Sequence, residues 1–168
     1  LDFVDGVRDL QNEILRCVGD ARVRFQEDHL RILRAIRFEA QLGFKMERQT
    51  WQACRELAPL TAKVSRERVQ EELIRMLIGP RPWQAIQALF NSGVMKVLFP
   101  EREASFKSAE EALSNLFHQP VMDADLALLF FMWKIPEAAD FFKNLKWPKK
   151  NEKKIISALE ILAAKESF

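Results

Sequence analysis

The sequence predicts an all-α chain, a bundle of about eight to nine helices, from three observations. Apolar residues recur at helical spacing along the whole chain, no segment alternates with period two, and the breaks fall at glycines and prolines. Gly19, Gly43, Gly79 and Gly93 stand where helices should end, and Pro59, Pro80, Pro82, Pro100, Pro120, Pro136 and Pro148 cluster at the same kind of place. The lack of alternation predicts no sheet.

Taken in order, the breaks delimit helices over 9–18, 27–41, 50–57, 65–77, 83–92, 104–117, 123–133, 138–145 and 149–165. Gly19 closes the first, and Gly43 follows the second. Thr50 is an N-cap candidate for the third. Ser65 serves the fourth, although Ser65-Arg66-Glu67-Arg68 lacks the acid at the third helical position that a capping box needs. Pro82 suits the first turn of the fifth. Asp123 opens the helix that carries the longest apolar run, Leu126 to Trp133, which is far too short to span a bilayer.

The chain has 168 residues, enough for one domain or two small helical ones, and 48% of them are hydrophobic, which allows a real core. A net charge of +2 excludes a generally basic nucleic-acid protein, so any RNA contact must come from local patches. Two cysteines, Cys17 and Cys54, make neither a disulfide framework nor a zinc site, and a reducing cytoplasm is the natural compartment. The start at Leu1, directly in patterned sequence, is that expected of a fragment.

The most informative segment runs from Arg24 to Phe38. On a helix Asp28 and Arg31 are surface neighbours, and Arg34 and Arg37 continue the same series of threes. Leu30, Leu33, Ile36 and Phe38 supply apolar surface for packing. Spacing alone leaves a plain reading open: a solvated face laced with ion pairs worth about 0.2–0.5 kcal/mol each.

The run Arg-Phe-x-Glu-Asp-x-x-Arg-x-Leu-Arg-Ala-x-Arg-Phe resembles the nucleotide-selecting motif of bacterial-type tRNA nucleotidyltransferases and their poly(A) polymerase relatives. Asp2, Gly6 and Asp9-Leu10 match the segment joining head and neck in that family, followed by Arg16-Cys17-Val18-Gly19-Asp20. Gln41-Leu42-Gly43-Phe44 and Thr50 come next, then Ser65-Arg66-Glu67-Arg68-Val69 with Glu72-Leu73, and then Leu98-Phe99-Pro100-Glu101. The resemblance covers roughly residues 1–101. His29 departs from it, standing where the family often has Pro or a small residue. We read His29 as a solvated or capping residue, and neither it nor His118 as acid, base or ligand.

The resemblance implies neck helices over 1–79 and body and tail helices over 80–168, similar to the RNA-binding domain of poly(A) polymerase. It implies that Asp28 and Arg31 form an acceptor–donor edge selecting CTP and ATP. A carboxylate only accepts and a guanidinium only donates, which suits the amino group and ring nitrogen of C and A and mismatches U and G. Glu27 would orient Arg31, and Arg34 and Arg37 would meet triphosphate or RNA phosphate. The implied partners are ATP, CTP, the acceptor and T arm of tRNA, and an N-terminal catalytic head that holds Mg2+. No catalytic residue is expected in this portion, and no membrane partner. Asp123-Ala124-Asp125, its single Asp-x-Asp, reads as a helix cap.

In the C-terminal third, Lys143, Lys146, Lys149, Lys150, Lys153 and Lys154 surround Trp147-Pro148. They are either a solvated face or phosphate contacts to folded RNA. Three functions remain: CCA addition, A addition or poly(A) synthesis by the same family, and a helical scaffold without catalytic role.

Overall fold

The computed structural model describes residues 4–99 and residue 114, and the helices expected from 104 onward and the lysines from 143 to 154 lie outside the described residues. Seven α-helices form in that span: α1 Gly6–Gln11, α2 Ala21–Glu27, α3 Leu30–Leu42, α4 Arg48–Leu57, α5 Arg66–Leu77, α6 Pro82–Asn91 and α7 Val94–Leu98. A 3₁₀ helix, Ala58–Lys63, follows α4.

The core forms because α3 presents a broad apolar stripe. Leu30, Ile32, Leu33, Ile36 and Ala40 are all buried, and they meet Leu73, Met76 and Leu77 of α5 and Ile86 and Leu89 of α6. Each large side chain buried there contributes about 1.5–3 kcal/mol of transfer free energy. Phe25 of α2 is 2% exposed, and α2 in turn packs on α4. α7 closes the lower side against the 3₁₀ helix and α6, burying Val94 and Met95.

Several expectations need correction. The helix expected over 9–18 stops at Gln11: Glu13 turns left-handed at φ 54°, and Ile14–Leu15 becomes a strand, β1. β1 pairs in parallel with Lys45–Met46, β2, so a minimal sheet exists where none was expected. At two residues each, these strands are too short for alternation to appear in the sequence. The helix expected over 27–41 starts only at Leu30, and a separate helix that was not expected, α2, precedes it and ends at Glu27, with Asp28 and His29 between them. Thr50 is buried inside α4, whose N-cap is Glu47, with a carboxylate accepting the Thr50 amide at 2.8 Å. Ser65 does occupy an N-cap position, though its hydroxyl makes no capping bond. Phe38 is not core: it is 40% exposed, with the Arg37 guanidinium 4.2 Å from its ring centroid, and Ile32 takes the buried place instead.

The glycine reading holds best at Gly43, which ends α3 in a left-handed conformation at φ 72°. The Arg81 side chain lies against it, donating to the carbonyls of Gln41 at 3.2 Å and Ala40 at 3.5 Å. A Cβ on residue 43 would stand 2.7 Å from Arg81 Cζ, so it would displace the end of that side chain, while the left-handed backbone itself favours glycine.

Candidate functional site

The site residues gather where α2 gives way to α3, with α5 alongside. α2 starts cleanly because Asp20 accepts from the amides of Arg22 at 2.8 Å and Val23 at 3.2 Å. It stops at Asp28, which swings to φ −146°, ψ 105°. The Asp28 carbonyl then accepts from the Arg31 amide at 3.0 Å, and its Oδ1 from the Leu30 amide at 3.1 Å, starting α3. His29 Nδ1 lies 2.9 Å from the Phe25 carbonyl. A carbonyl cannot donate, so Nδ1 carries the proton and the imidazole caps the end of α2.

Arg31 and Asp28 are therefore brought to one bend, each with its own counter-charge and no ion pair between them. Arg31 Nη1 donates to Glu27 Oε2 at 2.7 Å and to the Arg24 carbonyl at 3.0 Å. Arg24 Nη1 donates to the same Glu27 oxygen at 2.8 Å. Glu27 thus ties two guanidiniums together. Asp28 faces Arg68 of α5, whose Nη2 stands 3.3 Å from Oδ2 and 3.4 Å from Oδ1. Among the described residues, Arg31 Nε and Nη2 meet no acceptor, so three N–H bonds remain for a ligand.

Arg34 and Arg37 diverge. Arg37 is 9% exposed, donating through Nε to Glu72 at 2.6 Å and through Nη1 to Gln41 at 2.8 Å. Arg34 is 47% exposed, and its Nε is 3.6 Å from the other Glu72 oxygen, too far for a hydrogen bond. Arg75 comes within 3.7 Å of that oxygen too. Glu72, only 2% exposed, is a buried anion shared by three arginines.

Cys17 borders the same region. Burial pushes its thiol pKa up, and the charges of Arg24 and Arg31 pull the other way. A cleft of about 460 Å³ opens beside it, lined by Asp9, Arg16, Cys17, Asp20 and Thr50 among others, but not by Asp28 or Arg31. Arg16 closes one wall through a two-pronged pair with Asp9, at 2.8 and 3.1 Å. Among the described residues no three His, Cys, Asp or Glu side chains are grouped to hold a metal ion. No helix there is long and apolar enough to cross a membrane.

Arg68 and Glu72 received no site role from the sequence, although both lie in the Ser65–Leu73 run. Their signal was the spacing of four on α5, which puts both on one face.

Comparison with known proteins adds a family context. Residues 43–106 match the family described as the probable RNA- and SrmB-binding site of polymerase A. The chain is 34% identical to the CCA-adding enzyme of Streptococcus sanguinis over 165 residues, covering 97% of this chain and 41% of that enzyme. Against the CCA-adding enzyme of Leuconostoc mesenteroides it is 44% identical over 98 residues, 58% of this chain and 24% of the relative. The Bacillus stearothermophilus CCA-adding enzyme solved in complex with CTP superposes with a TM-score of 0.82 at 29% identity, over 98% of this chain and 42% of that one. The Thermotoga maritima CCA-adding enzyme, solved with tRNA, shares the fold with a TM-score of 0.64 at 23% identity, over 92% of this chain and 40% of that one.

Proposed function

The chain belongs to the tRNA nucleotidyltransferase and poly(A) polymerase family, and from that premise we propose that it is the nucleotide-selecting and RNA-binding helical portion of an enzyme that adds CCA to tRNA 3′ ends without a template. The observation that carries this reading is the bend at Asp28. It sets a carboxylate and a guanidinium close together in sequence and space while pairing each with a different partner. Neither group is consumed by the other, so the bend carries an acceptor and a donor that each keep bonding capacity for a base.

Cytosine and adenine each offer an amino donor beside a ring-nitrogen acceptor. Asp28 accepts from the first and Arg31 donates to the second. Uracil and guanine reverse the order, setting oxygen against carboxylate and N–H against guanidinium. Each mismatched polar group costs about 1–3 kcal/mol, and sites built on such matching discriminate by roughly 10⁴–10⁵. Glu27 orients Arg31 through a charge-assisted bond. Phosphate contact falls first to the half-exposed Arg34, with Arg37 held behind it against Glu72.

Nucleotidyl transfer needs carboxylates that hold divalent metal. The proposal assigns Mg2+ to an N-terminal catalytic head, without which this portion would be inactive. The proposal retains the division into neck helices over 1–79 and body and tail helices over 80–168. In the latter, Lys143, Lys146, Lys149, Lys150, Lys153 and Lys154 would contact the acceptor and T arm of tRNA. The matched family's description keeps a second reading in play, an A-adding enzyme or poly(A) polymerase, which would use the same edge.

The test is product analysis of the full-length protein on tRNA lacking its 3′ end, with CTP and ATP, beside Asp28→Ala and Arg31→Ala variants. Addition of C, C and A, with selectivity lost in the variants, supports the reading. Addition of A alone moves the assignment to the second reading, and variants that behave as wild type refute the edge.

A further inference from the structure

We propose that Arg68 is a positioning residue for base selection: it aims the Asp28 carboxylate, and through it sets how strongly C and A are preferred over U and G. The inference rests on the reading of Asp28 as the acceptor half of the edge, and adds a residue from a different helix to it.

Asp28 needs such a partner because of where it stands. It sits between two helices in extended backbone, and its side chain is 30% exposed. The Leu30 amide bonds Oδ1 at 3.1 Å, and so selects which oxygen faces the start of α3. That contact leaves open the direction in which the whole group points, since a terminal carboxylate torsion is soft. Arg68 supplies the missing restraint. Its Nη2 lies 3.3 Å from one oxygen and 3.4 Å from the other, meeting both together. One contact chooses the oxygen, and the other fixes the aim.

Two features suit this contact to positioning rather than to blocking. A carboxylate has about four lone-pair sites, and the Leu30 amide and a single Arg68 nitrogen leave room for the amino group of a base. The contact is also long for a charged hydrogen bond, so Arg68 yields little when a base arrives.

The origin of Arg68 matters equally. It projects from α5, four residues before Glu72, the buried anion that grips Arg37 of α3 at 2.6 Å. The core that fixes α5 against α3 therefore fixes where Arg68 stands. The Arg68 side chain is itself 51% exposed, so removing it opens no cavity and the fold persists.

The experiment compares wild type, Arg68→Ala, Arg68→Lys and Asp28→Ala in the full-length protein on tRNA lacking its 3′ end. It measures kcat/KM for CTP, ATP, UTP and GTP, with Tm recorded for each variant. Arg68→Ala is expected to lower the preference for CTP and ATP over UTP and GTP by about fivefold, the scale of a half-exposed ion pair. Tm should stay at the wild-type value, and Arg68→Lys should recover most of the preference. An unchanged preference in Arg68→Ala, where Asp28→Ala loses it, overturns the role of Arg68 and leaves the edge intact. An equal fall for all four nucleotides also overturns it, and marks Arg68 as a phosphate contact. If Asp28→Ala keeps its preference, the edge itself fails and this inference with it.

Discussion

Replacing Glu72 by Gln tests whether the seam between α3 and α5 is held by charge. Glu72 and Arg37 are both buried, and their 2.6 Å contact lies inside the core. The substitution leaves the Arg37 guanidinium buried without a counter-charge, a situation that costs about 3–5 kcal/mol. Loss of the longer pairs to Arg34 and Arg75, both about half exposed, adds at most about 1 kcal/mol each. Small domains are stable by about 5–15 kcal/mol, so Glu72→Gln removes a large fraction of the total. Its Tm should fall by more than about 10 °C. A second variant separates charge from shape. Replacing Glu72 and Arg37 together by Met removes both ions while keeping apolar volume, and should regain most of the loss. Urea and thermal unfolding followed by circular dichroism measure both. A cost for Glu72→Gln below about 1 kcal/mol, or a double variant no better than the single one, would refute the argument.

Gly43→Ala should destabilise by more than about 1 kcal/mol in the same assay, because the left-handed backbone and the Arg81 guanidinium both oppose a Cβ; a neutral result would mean that Arg81 moves aside freely. Asp20→Ala removes a two-amide cap from α2 and should cost about 1 kcal/mol, whereas Asp20→Asn should restore most of it. Burial holds the Glu39 carboxyl above its usual pKa of 4.5, against the opposing pull of the Met46 amide. Its stability contribution is therefore most favourable below the unfolded value and is lost as pH rises through the raised folded one. Glu39→Gln, which keeps an acceptor for Met46, should then raise Tm at pH 7, with the gap narrowing below about pH 4.5. A gap that is constant from pH 4 to 7 would contradict that assignment.

The helices α3, α5 and α6 were legible in the sequence because long apolar stripes bury against one another there, and periodicity reports burial. What the sequence hid was short or set by tertiary contact. β1 and β2 exist because Lys45 N–H finds the Glu13 carbonyl at 2.8 Å and Glu47 N–H finds that of Leu15 at 2.9 Å, partners thirty-two residues away in each case by subtraction of their numbers. Apolar spacing also carried the expected start of α3 back to Glu27, through Asp28 and His29, and left α2 unread. The break was written in chemistry instead: Asp competes with the helix by bonding nearby backbone, as Asp28 does to the Leu30 amide, and His29 adds a bond to the Phe25 carbonyl. In the candidate site, Glu27 with Arg31 was readable from a spacing of four. Asp28 with Arg68 was not, being forty residues apart. The Arg37–Glu72 contact was likewise invisible, because nothing in a series of arginines says which one turns inward.

That series is where one sequence pattern yields three physical outcomes. Successive steps of three residues fall about sixty degrees short of a full turn, so Arg31, Arg34 and Arg37 rotate progressively around α3. Arg31, 34% exposed, is caught by Glu27 of α2, and Arg37, 9% exposed, is caught by Glu72 of α5. α3 is thus tied near its start to one neighbour and further along to another, and neither tie allows it to roll without breaking the other. Arg34 lies between them with the longest contact of the three, at 3.6 Å. A helix locked in this way presents its donors at fixed angles before any ligand arrives. Such preorganisation is what a protein edge requires if it is to take the place of a template, since a mobile edge would adapt to U and G as readily as to C and A. Under the proposed function, the buried ions and the selection step would be parts of one device, in which Glu72 holds the helix, Arg68 would aim the acid and Glu27 would hold the donor.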